Sequence, residues 1–153
     1  MIDEAYVNRV LAGLDAIVGD VVRMVVQTKT IPREAVDRLK AVYATDSLLD
    51  RILDSLSRDV AFRLPTYRSE PGNKKSGVVE LLSGSASCLF AKVSRDYSEV
   101  AANPTPGERT EWVALRPLDP SRDPAAYNTP AWAYIYEGFQ EGGHPPVRDP
   151  CAP

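Results

Sequence analysis

The sequence has a single histidine, His144, which stands in a Gly- and Pro-rich stretch outside any patterned segment. Ser-His-Asp and Cys-His arrangements need an imidazole held against its nucleophile by packed elements, so neither is expected here. The two cysteines, Cys88 and Cys151, are too few and too far apart for CxxC-type metal spacing, and no further ligand set for zinc accompanies them. GxGxxG, GxxxxGK[ST] and HExxH are absent. The stretch "LLSGSASC" is small and flexible, but it lacks the strand-glycine-helix context of a phosphate loop and reads as a hairpin turn at Gly84. No cofactor and no metal is expected.

Basic excess is missing too. Eighteen Lys and Arg stand against 21 Asp and Glu, a formal net charge of −3 with pI near 5.2. Nucleic-acid binders usually carry the opposite balance to displace counterions from phosphates, so nucleic acid is not an expected partner. Arg63, Arg68, Lys74 and Lys75 are close in sequence and read as a solvated loop. No run reaches the roughly 20 apolar residues of a membrane span. The opening "MIDEAYVNRV" lacks a basic region followed by an apolar one, so no signal peptide is expected and the location reads as cytoplasmic or virion-associated. The excess of Arg over Lys hints at a GC-rich bacterial or phage source.

What is present is ordinary globular material: 153 residues, 44% hydrophobic and 25% charged, enough for a real core in one domain. Residues 3 to 29 read as one long helix, with Tyr6, Val10, Leu14, Ile17, Val21 and Met24 at three- and four-residue steps. A second stripe (Val7, Leu11, Val18, Val22, Val25) widens the apolar arc, so this helix is buried on two sides or pairs with another chain. Gly13 and Gly19 weaken it unless they allow close packing. Pro32 opens a second helix carrying Ala35, Val36, Leu39, Val42 and Tyr43. Ser47 with Asp50 fits a capping box for a third, continuing through Leu56 to about residue 63.

After Pro65 the periodicity changes to two, and strands are expected at 77–83, 86–96, 110–117 and 131–138. The chain thus divides into a helical part (1–64), a linker loop (65–76), a sheet part (77–139) and an irregular Pro-rich tail (140–153). Helices followed by strands argue an α+β fold: N-terminal helices, one long and one or two shorter, packed on one face of a four-stranded antiparallel sheet. The order of the strands stays open.

Alternation then assigns the faces. Leu89, Ala91, Val93, Val113, Leu115, Ala133 and Ile135 form an aliphatic set suited to packing under helices. Phe90, Lys92, Trp112, Arg116, Trp132, Tyr134 and Tyr136 form an aromatic and cationic opposite face. Three coverings suit that face: the tail and long loops, a protein partner, or a ligand pocket with Arg116 or Lys92 meeting an anion. In a reducing compartment Cys88 and Cys151 are free thiols; in an oxidising one, a bridge between them would pin the tail across the sheet.

The order of elements over residues 5 to 138, helices and then a curved antiparallel sheet, resembles the cystatin/NTF2-like superfamily. The resemblance carries over no individual residue, and it implies enzyme, ligand binder or assembly module equally. The leading expectation is a non-enzymatic interaction or structural protein, self-associating or docking into a larger bacterial or phage assembly, with Trp112, Arg116, Trp132, Tyr134, Tyr136, Phe90 and Lys92 as its contact surface. The alternative is a small-molecule binding or catalytic pocket between sheet and helices, with Arg116 as anion anchor and Asp96 or Glu137 as acid or base.

Overall fold

A computed structural model describes residues 2–128, 131–138 and 143–153. Of the expected tail, residues 140–142 lie outside the described residues, as does residue 139 at the end of the expected sheet part. Three helices precede four strands: α1 (Glu4–Thr28), α2 (Arg33–Lys40), α3 (Asp46–Phe62), then β1 (Lys75–Gly84), β2 (Leu89–Asp96), β3 (Arg109–Pro117) and β4 (Trp132–Gly138). The sheet order is β1-β2-β3-β4, with every neighbouring pair antiparallel. The fold is α+β, with the helices packed on one face of this meander.

Local chemistry sets the helix ends. Asp3 caps α1 by accepting the Tyr6 N–H at 2.8 Å, and Lys29 ends it in the left-handed conformation (φ 55°). Pro32 is the N-cap residue of α2, one position before its first turn. The third helix starts two residues earlier than Ser47: Thr45 is its cap, and its hydroxyl accepts the Leu48 N–H. Val42 and Tyr43 lie beyond α2, where Tyr43 forms a parallel bridge to Tyr134 and ties the helical layer to β4. Gly19 is buried in α1 because a side chain there would collide with Asn73, so the glycine lets the loop before β1 close onto the helix.

The core joins Val7, Leu11, Leu14 and Val21 of α1 to Leu39 of α2, Leu56 of α3, and Leu89, Val93, Val113 and Leu115 of the sheet. The last strand departs from the expected faces. Trp132 and Tyr134 belong to this helix-side core, whereas Ile135 and Tyr136 pack on the outer face with Phe90, Trp112 and Ala114. Two physical reasons account for the difference. The gap under the helices needs large rings: Trp132 donates its Nε1–H to the Tyr6 hydroxyl (2.9 Å), and Tyr134 stacks on Tyr43 with ring centroids 5.7 Å apart. Ala133, the small residue expected inside, instead packs outside against Ala41 and Leu118. A bulge then breaks the alternation, since Ala114 pairs with Tyr136 and Leu115 with Tyr134, leaving Ile135 as the extra residue. Beyond the bulge Tyr136 faces out and Glu137 faces in.

On the outer face, Phe90 and Trp112 are buried, and a Cys88–Cys151 disulfide ties the tail back over them, with Cys151 packed against the cluster.

Candidate functional site: a cavity between helices and sheet

Between the three helices and the open end of the sheet lies a partly enclosed cavity of about 190 Å³. Its wall is apolar: Val18, Val21 and Val22 from α1, Leu39 from α2, Ile52 and Leu56 from α3. Its other end is polar: Asp15, Lys74 and Glu137, with Tyr43, Tyr67 and Tyr97 around them. A wider, polar cleft of about 500 Å³ adjoins it, sharing Asp15, Gly72 and Lys74 and continuing past Arg23, Lys75 and Glu99. Asp15 and Lys74 therefore stand at the partition between an apolar chamber and a polar, more open one.

The loop over this region is anchored. Arg68 donates its backbone N–H to Val100 and Gly72 to Glu99, while Arg23 holds the Pro71 carbonyl (3.2 Å) and the Asn73 side chain (2.9 Å). These bonds place Tyr67, Gly72 and Lys74 against α1.

Behind the polar end lies a buried ion network. Arg95 is fully buried and reaches three carboxylates: Glu137 at 2.9 Å, Asp15 at 3.4 Å and Glu111 at 3.5 Å. It also donates to the Ser76 hydroxyl at 2.8 Å and the Tyr134 hydroxyl at 3.3 Å. Lys74 lies 3.3 Å from Glu137 and 3.9 Å from Asp15. Tyr43 donates to Glu137, Tyr97 donates to Glu111, and Arg109 meets Glu111 from the surface at 3.0 Å. Three carboxylates thus face three cations, Arg95, Lys74 and Arg109. The buried ions are paired within the cluster, and the half-exposed Arg109 completes the balance at its surface edge.

The two cavity carboxylates differ in character. Burial pushes the Asp15 carboxyl up, only partly offset by Lys74 and Arg95. Glu137 is equally subject to burial, but Lys74 and Arg95 outweigh it and hold this carboxyl below its ordinary value. Burial raises the phenols as well: Tyr67 to about 12, and Tyr43, Tyr97 and Tyr134 in the same direction. The tyrosines remain hydroxyl donors at any physiological pH.

A carboxyl whose folded pKa is raised binds protons more readily folded than unfolded, so its ionisation subtracts stability as pH rises through the folded value. Asp15→Asn, a neutral isostere that does not ionise, loses the Arg95 and Lys74 contacts at every pH but escapes this cost, so its melting temperature gains on that of wild type as pH rises through the raised value. Melting curves of both proteins from pH 4 to 8 check the sign.

The residues singled out from sequence are dispersed. Glu137 is the one that lies in the cavity. Tyr134 stands behind it under Arg95, and Trp132 is in the core. Phe90, Trp112 and Tyr136 cluster on the outer face, where Lys92 lies over the Trp112 ring at 5.6 Å. Arg116 is exposed and does not line the cavity. Asp96 is not in the cavity either: the Ser98 backbone N–H binds its carboxylate and holds its pKa below the ordinary value. Lys74, expected in a solvated loop, is instead nearly buried against Glu137 and Asp15 because the loop before β1 is anchored onto α1. Asp15 and Arg95, which the sequence reading does not name as site residues, complete the polar end. Both Asp15 and Arg95 carried a signal: Asp15 falls on the α1 stripe between Leu11 and Val18, and Arg95 continues the period-two series Leu89, Ala91, Val93.

No protein-family model, curated protein or solved structure matches this chain. Among the described residues no helix is long and apolar enough to cross a membrane, and no group of His, Cys, Asp and Glu could hold a metal ion.

Proposed function

We propose that this protein binds a small, neutral, largely apolar molecule in the cavity between its helices and sheet. The observation that carries the reading is the cavity's division into an aliphatic wall and a charge-balanced polar end. Apolar chambers with a few convergent polar groups are where small ligands are commonly held. The size, about 190 Å³, suits a single ring, a small fused bicycle or a short branched chain, since an apolar protein cavity of about 150 Å³ accommodates benzene. Internal pairing argues against an ionic ligand: Asp15 and Glu137 are already matched by Lys74 and Arg95, so a buried ion would enter without a free partner of opposite sign. Lys74, Tyr67 and Tyr97 supply hydrogen-bonding groups for one hydroxyl or carbonyl.

The competing reading, a docking subunit, drew its motive from an aromatic row open to a partner. With Trp132 and Tyr134 in the helix-side core, and Phe90 and Trp112 under the disulfide-tied tail, that row offers a partner little surface.

A thermal-shift panel tests the proposal. Neutral monocyclic compounds such as phenol, cyclohexanone and toluene should stabilise the protein, by roughly 5–10 °C for one present at 100 times its dissociation constant. Benzoate and benzylammonium should not. Ser55→Phe, placed on an exposed position at the cavity lining, should abolish the shift without unfolding the chain. Stabilisation by the ions alone, or silence across the panel, would sink the reading.

A further inference from the structure

Resting on the cavity as a ligand site, we propose that Asp15 exchanges a proton with the bound molecule, so that the chamber is a general acid–base site for small neutral compounds with an acidified C–H or O–H. Four observations support it. Asp15 lines the apolar chamber and also the polar cleft beside it, so one carboxylate touches both a water-poor ligand space and a route for protons to solvent. The charged and polar groups that face it come from three elements and the loop before them: Lys74 from the loop, Ser76 from β1, Arg95 from β2 and Glu137 from β4.

Those groups divide the labour. Glu137 is pinned as an anion by Lys74 and Arg95, and the tyrosines are pinned as hydroxyls, which leaves Asp15 as the group poised to change protonation state. Paired carboxyls whose environments drive them apart mark the acid and base of a site. Lys74, 3.9 Å from Asp15, presents an ammonium where charge would develop on a deprotonated ligand.

In the step itself, the C–H or O–H bond of the ligand breaks and its electron pair stays on the ligand. The proton forms a new O–H bond on Asp15. It then returns to the anion, at the same or a conjugated atom, or leaves through the polar cleft to water. Nothing is oxidised or reduced.

The test uses 1,2-benzisoxazole, a small neutral bicycle whose ring opens when a base takes its one acidic proton. Its C3–H proton goes to the base, the N–O bond breaks, and 2-cyanophenolate forms with a change in ultraviolet absorbance. Wild type should open the ring with saturation kinetics, and the rate should rise with pH through a single ionisation above the ordinary aspartate value of 3.8. Asp15→Asn should lose about a hundredfold or more of that rate while still showing the benzisoxazole thermal shift. Ser55→Phe should lose both.

The outcomes separate the two readings. Binding without elimination above that of free acetate overturns the proton-transfer proposal and leaves the ligand site standing; so does elimination that Asp15→Asn preserves. Absence of any benzisoxazole shift, with every panel compound silent as well, overturns the ligand site and the proposal together. If Asp15→Asn does not fold, the wild-type pH profile decides, since a flat profile contradicts a titrating base. A carbon-13 titration of the Asp15 carboxyl must then give the same ionisation as the rate.

Discussion

Replacing Arg95 by Met lowers stability by about 3–5 kcal/mol, the cost of leaving a buried charge cluster without its hub. The melting temperature should fall by roughly 10 °C or more for a chain of this length. The Arg95 side chain has 0% exposure and lies within 3.5 Å of Asp15, Glu111 and Glu137. Met fills much of the same volume, so lost packing contributes little and the effect isolates the charge. Three carboxylates would then share Lys74 and the half-exposed Arg109. Acidification supplies the control. In the variant the unpaired carboxyls have raised pKa values, and a raised folded pKa means stability returns as pH falls through it. The gap between Arg95→Met and wild type should therefore narrow from pH 7 to pH 5. A gap that stays constant, or a variant as stable as wild type at pH 7, would show that the network contributes nothing.

Reduction of the Cys88–Cys151 bridge is the second large effect. The bond closes a loop with a sequence separation of 63, which in the chain-entropy model stabilises by about 4 kcal/mol. The reduced protein should melt roughly 10 °C lower. The two tryptophans report on different faces, which makes the prediction specific. Trp112 belongs to the outer cluster with Phe90 and Cys151, whereas Trp132 lies in the helix-side core, bonded to Tyr6. Below the melting point, Cys151→Ser should red-shift the emission of a Trp132→Phe protein and leave that of a Trp112→Phe protein unchanged. Equal shifts in both would mean that the bridge holds the whole fold rather than the tail against the sheet.

The α+β layout was readable from periodicity because it rests on local rules. The stripe of α1, the Pro32 start and the change to period two after Pro65 each act over a few residues. Thr45 shows the limit of that reading. Thr45 and Ser47 both lie near the start of α3, and only the geometry of the preceding chain makes Thr45 the cap that accepts the Leu48 N–H. The faces of β4 were not readable. Trp132, Ala133, Tyr134, Ile135 and Tyr136 alternate ring and aliphatic groups, so either set is apolar enough to face inward. The choice is made by what stands opposite, namely Tyr6, Tyr43 and Arg95, which are distant in sequence. The bulge at Ile135 then parts Tyr136 from the other rings and turns Glu137 inward. The same dependence hid the site: Asp15, Lys74, Arg95 and Glu137 are brought together by α1, the loop before β1, β2 and β4, and no sequence spacing expresses their proximity.

Polar residues on apolar stripes are the transferable signal. Asp15 between Leu11 and Val18, and Arg95 after Val93, each break an otherwise buried pattern, and a buried charge needs a partner of opposite sign. Pairing such interruptions across elements would have proposed the Asp15–Arg95 contact before any fold was known.

The most direct test of the ligand site is methyl nuclear magnetic resonance with phenol added to protein labelled at Val, Leu and Ile. Saturable shifts are expected only at Val18, Val21, Val22, Leu39, Ile52 and Leu56, with Val79 and Leu82 on the exposed first strand unmoved. Shifts at Val79, Leu82 and Val147 with the cavity methyls silent would place binding on the surface and contradict it.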